Sequence, residues 1–140
     1  MTETLERRLG RLAPVVVSLF RSVYGFLFAA CGSMILFGWP LRPPAPVAAG
    51  TWPVWYAGLI ELVAGALIAV GLFTRAAAFV ASGEMAVAYF WIHQPRSLWP
   101  IAEPPAGNGG LPSILFCIGF FLLVFAGGGS LAVDALRRRR

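Results

Sequence analysis

The chain has 140 residues, 59% of them hydrophobic and only 12% charged, with a mean hydropathy of +0.77 and a formal charge of +5. That composition excludes an ordinary soluble globular domain and fits an integral membrane protein. The length allows about four helices of some 20 residues with short connections, so one transmembrane domain over residues 1–140 is expected and no separate soluble one.

The first apolar span runs from about Leu12 to Trp39, with Pro14 near its start, where a missing N–H is tolerated. It is too long for a signal-peptide core and no clear small-x-small cleavage site follows it. A Pro-rich loop, Pro40 to Pro53, leads into span two, about 54–73. Thr74 and Arg75 make a short turn into span three, about 76–92. A longer loop, His93 to Gly110, carries four prolines and the turn signal Asn108-Gly109-Gly110. Span four covers about 111–131 and ends before the basic tail. The fold class is therefore all-α, a four-transmembrane-helix bundle.

Every basic residue is arginine. With four spans, both termini and the Thr74–Arg75 turn share one side. That side holds Arg7, Arg8, Arg11, Arg75 and Arg137 to Arg140, against Arg42 and Arg96 on the other. The asymmetry predicts cytoplasmic termini. All five tryptophans, Trp39, Trp52, Trp55, Trp91 and Trp99, fall on the opposite side, where the headgroup region suits a half-wet ring. The basic clusters read as topology signals and anionic-lipid contacts, not as a nucleic-acid site. The expected location is the plasma membrane of a bacterium, crossed several times, with the Arg-only, Ala-rich composition pointing to a GC-rich genome.

Three ionisable residues stand inside these spans: Arg21, Glu61 and Glu84. A charge at mid-membrane costs roughly 2.5–3.5 kcal/mol on insertion scales, so such groups face inward and mark candidate sites. Counting 1.5 Å per residue puts Arg21 ~13 Å and Glu84 ~12 Å from the inner boundary, and Glu61 ~10 Å from the outer one. In a core of about 30 Å all three then share a central zone, with Arg21 and Glu84 level. Small residues flank each charge at helical spacing: Gly25 and Gly32 by Arg21, Gly58 and Gly65 by Glu61, Ala81 and Ala88 by Glu84. Close helix packing needs such neighbours. One cation cannot neutralise two carboxylates. Glu84 is expected to be the ionised partner of Arg21, and Glu61 a neutral proton holder suited to a quinone headgroup. The competing reading is a buried polar latch that only fixes helix order.

His93 closes span three beside Trp91 and, with Asn108, marks a weaker candidate site at the outer mouth. No second His or carboxylate stands at ligand spacing, so no metal site is expected. Cys31 and Cys117 read as small packing residues.

Several of these features occur together in a known family. Arg21-x₃-Gly25-x₆-Gly32, Glu61-x₃-Gly65, Gly71-Leu72-Phe73-Thr74-Arg75, the trio Met85, Tyr89 and His93, and Asn108-Gly109-Gly110 resemble the DoxX family of small four-helix membrane proteins. The resemblance covers roughly residues 15–134. It implies the four-helix fold and an association with quinone-linked oxidation of reduced sulfur compounds, or with membrane redox partners; more distant relatives act as chaperones or assembly factors. The leading expectation is a small membrane component of a quinone-linked or oxidative-stress redox assembly. Quinone is the candidate cofactor, and membrane or cytoplasmic redox proteins, or a second copy of the chain, are candidate partners. No nucleophile or bound redox centre is encoded, so catalysis by the chain alone stays open. The alternative is a non-catalytic scaffold. A transporter is less supported, because no inverted repeat or broken helix is present.

Overall fold

The computed structural model describes residues 2–43, 45 and 47–137. Arg138, Arg139 and Arg140 of the terminal arginine cluster lie outside the described residues, as do Pro44 and Pro46 of the first loop. Among the described residues there are five α-helices and no strand. They are α1 (Thr2–Phe37), α2 (Val54–Val70), α3 (Thr74–Ala88), α4 (Leu111–Ala126) and α5 (Val133–Arg137), and a π-helical turn (Tyr89–His93) prolongs α3. The all-α class is as expected.

One helix meets the length and hydropathy of a membrane span by itself: Leu5–Phe37 within α1, with a mean hydropathy of 1.7. Helices α2 and α4 are equally apolar but shorter, at 17 and 16 residues. α1 begins ten residues before the expected start of span one, because Pro14 is held inside the helix instead of opening it. α2 stops at Val70, short of the expected Phe73, because Gly71 adopts φ 77° and its N–H turns back to the carbonyls of Leu67 and Ile68. This is the left-handed helix terminus that glycine makes accessible.

Glycine also sets how α1 meets α2. A Cβ on Gly65 would lie 2.8 Å from the Ala29 Cα and 2.8 Å from the Gly25 carbonyl oxygen. A Cβ on Gly25 would strike the Ala69 backbone, and one on Gly32 the backbone of Gly58 and Leu62. Pairing 25 with 69 and 32 with 58 makes the helices antiparallel, backbone against backbone, as small-residue stripes permit. α3 runs antiparallel to α4: Tyr89 packs by Gly110 at one end, the Ser82 hydroxyl donates to the Cys117 carbonyl (2.9 Å) midway, and Thr74 lies by Gly128 at the other. The core between the pairs is aromatic. Phe28 and Phe120 are buried with ring centroids 4.7 Å apart, and the Tyr24 ring fills the space beside Gly119.

The bundle has two unlike ends. The loop end carries residues 38–53 and 94–110 and all five tryptophans. The turn end carries the α2–α3 turn, the glycine segment 127–129 and α5.

Two charged side chains hold the turn end together. Arg21, 2% exposed, donates from Nη1 to the carbonyls of Ile68 (2.5 Å) and Ala69 (2.6 Å), and from Nε to the carbonyl of Gly128 (2.9 Å). It thereby adds charged donors to the last carbonyls of α2, where the Ile68 carbonyl also accepts the Gly71 N–H and the Ala69 carbonyl has no partner within its helix. Asp134 acts on the opposite helix end. Its Oδ1 accepts the Phe73 N–H (3.0 Å), and its Oδ2 accepts both the N–H and the hydroxyl of Thr74 (2.9 Å each). That is N-capping of α3 by a residue 60 positions away. The cap supports Phe73 at φ 50°, the left-handed region that bulky residues rarely occupy. Burial by itself would raise the Asp134 carboxyl, but these hydrogen bonds and the nearby Arg137 outweigh it and hold the group below the usual aspartate range.

Four outcomes are expected. Gly65→Ala forces α1 and α2 apart and lowers stability by about 1–3 kcal/mol. Gly83→Ala, with nothing within 4 Å of its added Cβ, leaves melting in detergent unchanged or raises it. Arg21→Ala strips the cation from three carbonyls and costs on the order of 2–4 kcal/mol, and adding Glu84→Gln does not restore it. Restoration of the melting temperature by that second change would show an Arg21–Glu84 pair after all. Asp134→Asn lowers the melting temperature at pH 7. Because the folded-state pKa lies below the unfolded one, the stabilisation is present above the unfolded value, about 4, and is lost as pH falls through the folded one. The gap between wild type and variant therefore closes in that acid range, which a pH series of melting curves reads directly.

Candidate functional site

The expected three-residue centre divides into two separate places. Arg21 does not meet Glu84. Its hydrogen bonds go to the carbonyls at the turn end, and the carboxylate whose charge it feels is Asp134. Eleven residues of α1, about 16 Å, separate Arg21 from Gly32, which lies against Glu61. The depth count failed because α1 extends past the bundle: residues 5–16 are exposed, so the packed part of α1 begins nearer Arg21 than a start at Leu12 implied. The assignment of Glu84 as the ionised partner of Arg21 is thus replaced.

Glu61 and Glu84 are the two that come together. Glu61 stands midway along α2, with its Cβ 2.9 Å from where a Gly32 Cβ would be. Glu84 is ten residues beyond Thr74, about 15 Å up α3, which makes it level with Glu61. Each carboxyl group is close enough for Glu61 to feel the charge of Glu84. Glu61 is 8% exposed and Glu84 is half-buried. In both, Oε2 is buried without a hydrogen-bond partner. Two neighbouring buried acceptors, neither satisfied nor given a counter-ion, are costly unless a proton sits on the pair. Cys31, one residue before Gly32, lies on the exposed face of α1 and not in the core, contrary to its reading as a packing residue.

An apolar groove of about 400 Å³ opens between α2 and α3, with neither Glu61 nor Glu84 in its lining. It starts at Leu59 and Ile60 and runs past Ala64 and Leu67 to Ala77 and Phe73. The groove reaches the level of the carboxyl pair at one end and the α2–α3 turn at the other.

At the loop end the structure brings His93 and Asn108 together. The π-turn aims His93 so that its Nδ1 lies 2.9 Å from the Asn108 carbonyl oxygen. Asn108, 1% exposed, donates from Nδ2 to the Ser97 carbonyl (2.8 Å) and accepts the Gly110 N–H at Oδ1 (2.7 Å). These bonds consume the amide within the loop, so the pair ties the long loop to the end of α3 and to the start of α4. Among the described residues no group of three or more His, Cys, Asp or Glu gathers as a metal site.

Sequence reasoning missed Asp134 and Ser18. The Ser18 hydroxyl donates to the Pro14 carbonyl (2.9 Å) and accepts the Leu131 N–H (3.0 Å), clamping the glycine segment onto α1. A signal existed for Asp134, the only carboxylate after Glu103, placed just before the arginine run.

A family model described as DoxX matches residues 16–94, a stretch that includes Arg21, Glu61, Glu84, the 71–75 turn and His93. An uncharacterized protein of Haemophilus influenzae (strain ATCC 51907 / DSM 11121 / KW20 / Rd) is 35% identical over 130 residues, spanning 90% of this chain and 93% of its own length. No solved structure matches the chain. The family match over more than half of the chain and the near full-length relative agree with the all-helical, apolar structure, and the chain belongs to the DoxX family of membrane proteins.

Proposed function

We propose that the chain is a multi-pass protein of the bacterial plasma membrane, with α1 to α4 crossing it and both termini cytoplasmic. In this reading it is a small component of a quinone-linked or oxidative-stress redox assembly. The observation that carries the proposal is the Glu61–Glu84 pair: two level, neighbouring carboxyl groups with unpartnered buried oxygens, left without a cation because Arg21 is engaged elsewhere. Intramembrane ionisable groups of this kind mark proton or ligand paths.

The residues present fit a quinone on two counts. The apolar groove beginning at Leu59 and Ile60 offers a seat for a prenyl chain at the level of Glu61. A proton held on Glu61 or Glu84 gives that level of the bundle a hydrogen-bond donor in otherwise apolar surroundings. A bound quinone would supply the two-electron acceptor that the chain lacks, with electrons coming from a partner redox protein. The part played by this chain is to hold one proton at the pair, keep water out with the surrounding small residues, and reload the proton after release. Support for the membrane placement comes from the hydropathy of α1 and from the tryptophans gathered at the loop end, opposite Arg75 and Arg137.

A second reading, a non-catalytic scaffold, is favoured by one observation. Arg21 and Asp134, the most highly engaged charges, both bind helix ends. Quinone extraction from protein purified in mild detergent separates the two, since a scaffold carries none above the lipid background.

Either Glu→Gln variant is expected to keep the fold and the melting temperature, because an amide replaces a carboxyl that already carries or shares a proton. Quinone retention and any quinone-dependent activity of the assembly should fall in both. Infrared difference titration should show a protonated carboxyl stretch in wild type between about pH 6 and 8, where an unperturbed glutamate is ionised, and a weaker one in Glu61→Gln. Absence of that band in wild type removes the proton-holding role.

A further inference from the structure

The turn end holds a cleft away from the carboxyl pair, lined in part by Asp134 and the start of α3 that it caps. Its volume is about 740 Å³, and its walls are the start of α3, the glycine segment after α4, and α5. Two arginines from different elements stand on it, Arg75 and Arg137. Arg75 forms no hydrogen bond or ion pair among the described residues. Its guanidinium is folded over Gly127, with Nε 3.4 Å and Nη2 3.5 Å from the place a Cβ there would occupy, so glycine leaves room for the fork at the wall. Arg137 lies with Cζ 5.7 Å above the Phe73 ring, the approach of a cation to an aromatic face.

The charge around this cleft does not balance. The acidic residue on its wall, Asp134, already accepts three hydrogen bonds and counters both Arg21 and Arg137. One carboxylate against three guanidiniums leaves an excess of two positive charges. Planar guanidinium forks pair bidentately with phosphate oxygens. Phe73 on its wall is 60% exposed, and Leu131 and Phe125, each one residue along the chain from a wall residue, are exposed as well. A phosphate group in the cleft would therefore have hydrocarbon surface beside it for any attached chain.

We infer that the cleft binds a phosphate group, held between the guanidiniums of Arg75 and Arg137. The phosphate belongs either to an anionic lipid headgroup or to a soluble phosphoester. This site stands independently of the Glu61–Glu84 pair, and it does not need the redox reading to hold.

The test is binding to the delipidated full chain in neutral detergent at constant ionic strength, read by native mass spectrometry and thermal shift. The probes are short-chain phosphatidylglycerol, short-chain phosphatidylcholine, glycerol phosphate and inorganic phosphate. Wild type should bind phosphatidylglycerol at least tenfold tighter than phosphatidylcholine, and Arg75→Gln or Arg137→Gln should abolish that preference. Arg75→Lys keeps the charge but loses the fork, and should retain only part of it. Arg8→Gln, which removes the same charge from exposed α1, should bind as wild type does. Glycerol phosphate or inorganic phosphate binding as tightly as the lipid assigns the site to soluble phosphate; binding of the lipid alone assigns it to the membrane. Equal affinity for the two lipids with no binding of either soluble phosphate, or an equal loss in Arg8→Gln, overturns the site.

Discussion

A helix that stops inside an apolar bundle leaves its last carbonyls without donors, and water is not available to serve them. Arg21 meets that constraint at the end of α2 and at Gly128 after α4. One side chain from α1 thereby joins two other helix termini. The rest of the turn end follows from it. With the guanidinium at Ile68 and Ala69, the 71–74 turn is held in one position, and Asp134 can reach the N–H groups that open α3. The two charges also attract across the turn. Because Arg21 is held there, no described cation stands beside Glu61 and Glu84, and their chemistry must be that of a pair without a counter-ion.

The glycine stripe explains why this geometry repeats along α1 and α2. Gly25, Gly32 and Gly65 bring the two backbones together over several turns, while Gly58 makes room for the Ile35 side chain. That contact places Glu61 at the α1–α2 seam, against Gly32. α3 and α4 also pack closely, with the Ser82 hydroxyl between them, whereas the aromatic cluster of Phe116 and Phe120 joins α4 to Tyr24 and Phe28 of α1. The α2–α3 seam is left open enough for the apolar groove. The tight and loose seams therefore alternate, and the carboxyl pair lies where a tight one borders a loose one.

Much of this architecture could be read from the sequence. Apolar runs bounded by proline and glycine located α2, α3 and α4 to within a few residues, and the small neighbours of Glu61 pointed to a packed face. Depth was the failure. Counting residues from an assumed boundary set Arg21 level with Glu84, because the exposed extension of α1 ends in residues 12–16, which are as apolar as the packed part. The charge partner was missed for a different reason. Capping is usually read within a few residues of a helix start, whereas Asp134 caps α3 from 60 positions further along the chain. The roles of Ser18 and Asn108 are likewise contacts with irregular backbone, which no periodicity encodes.

The remote origin of that cap bears on the order in which the molecule is assembled. The hairpin of α2 and α3 is complete by residue 88, yet two of the groups that secure its turn arrive much later, the Gly128 carbonyl and the Asp134 carboxylate. Phe73, in its unfavourable backbone conformation, has no capping partner until then. During synthesis the first three helices can associate through glycine contacts but stay adjustable at the turn. Emergence of the final dozen described residues locks them. The C-terminal segment thus works as a closing clasp, and a ribosome that stalls after α4 would leave a bundle packed but not fastened.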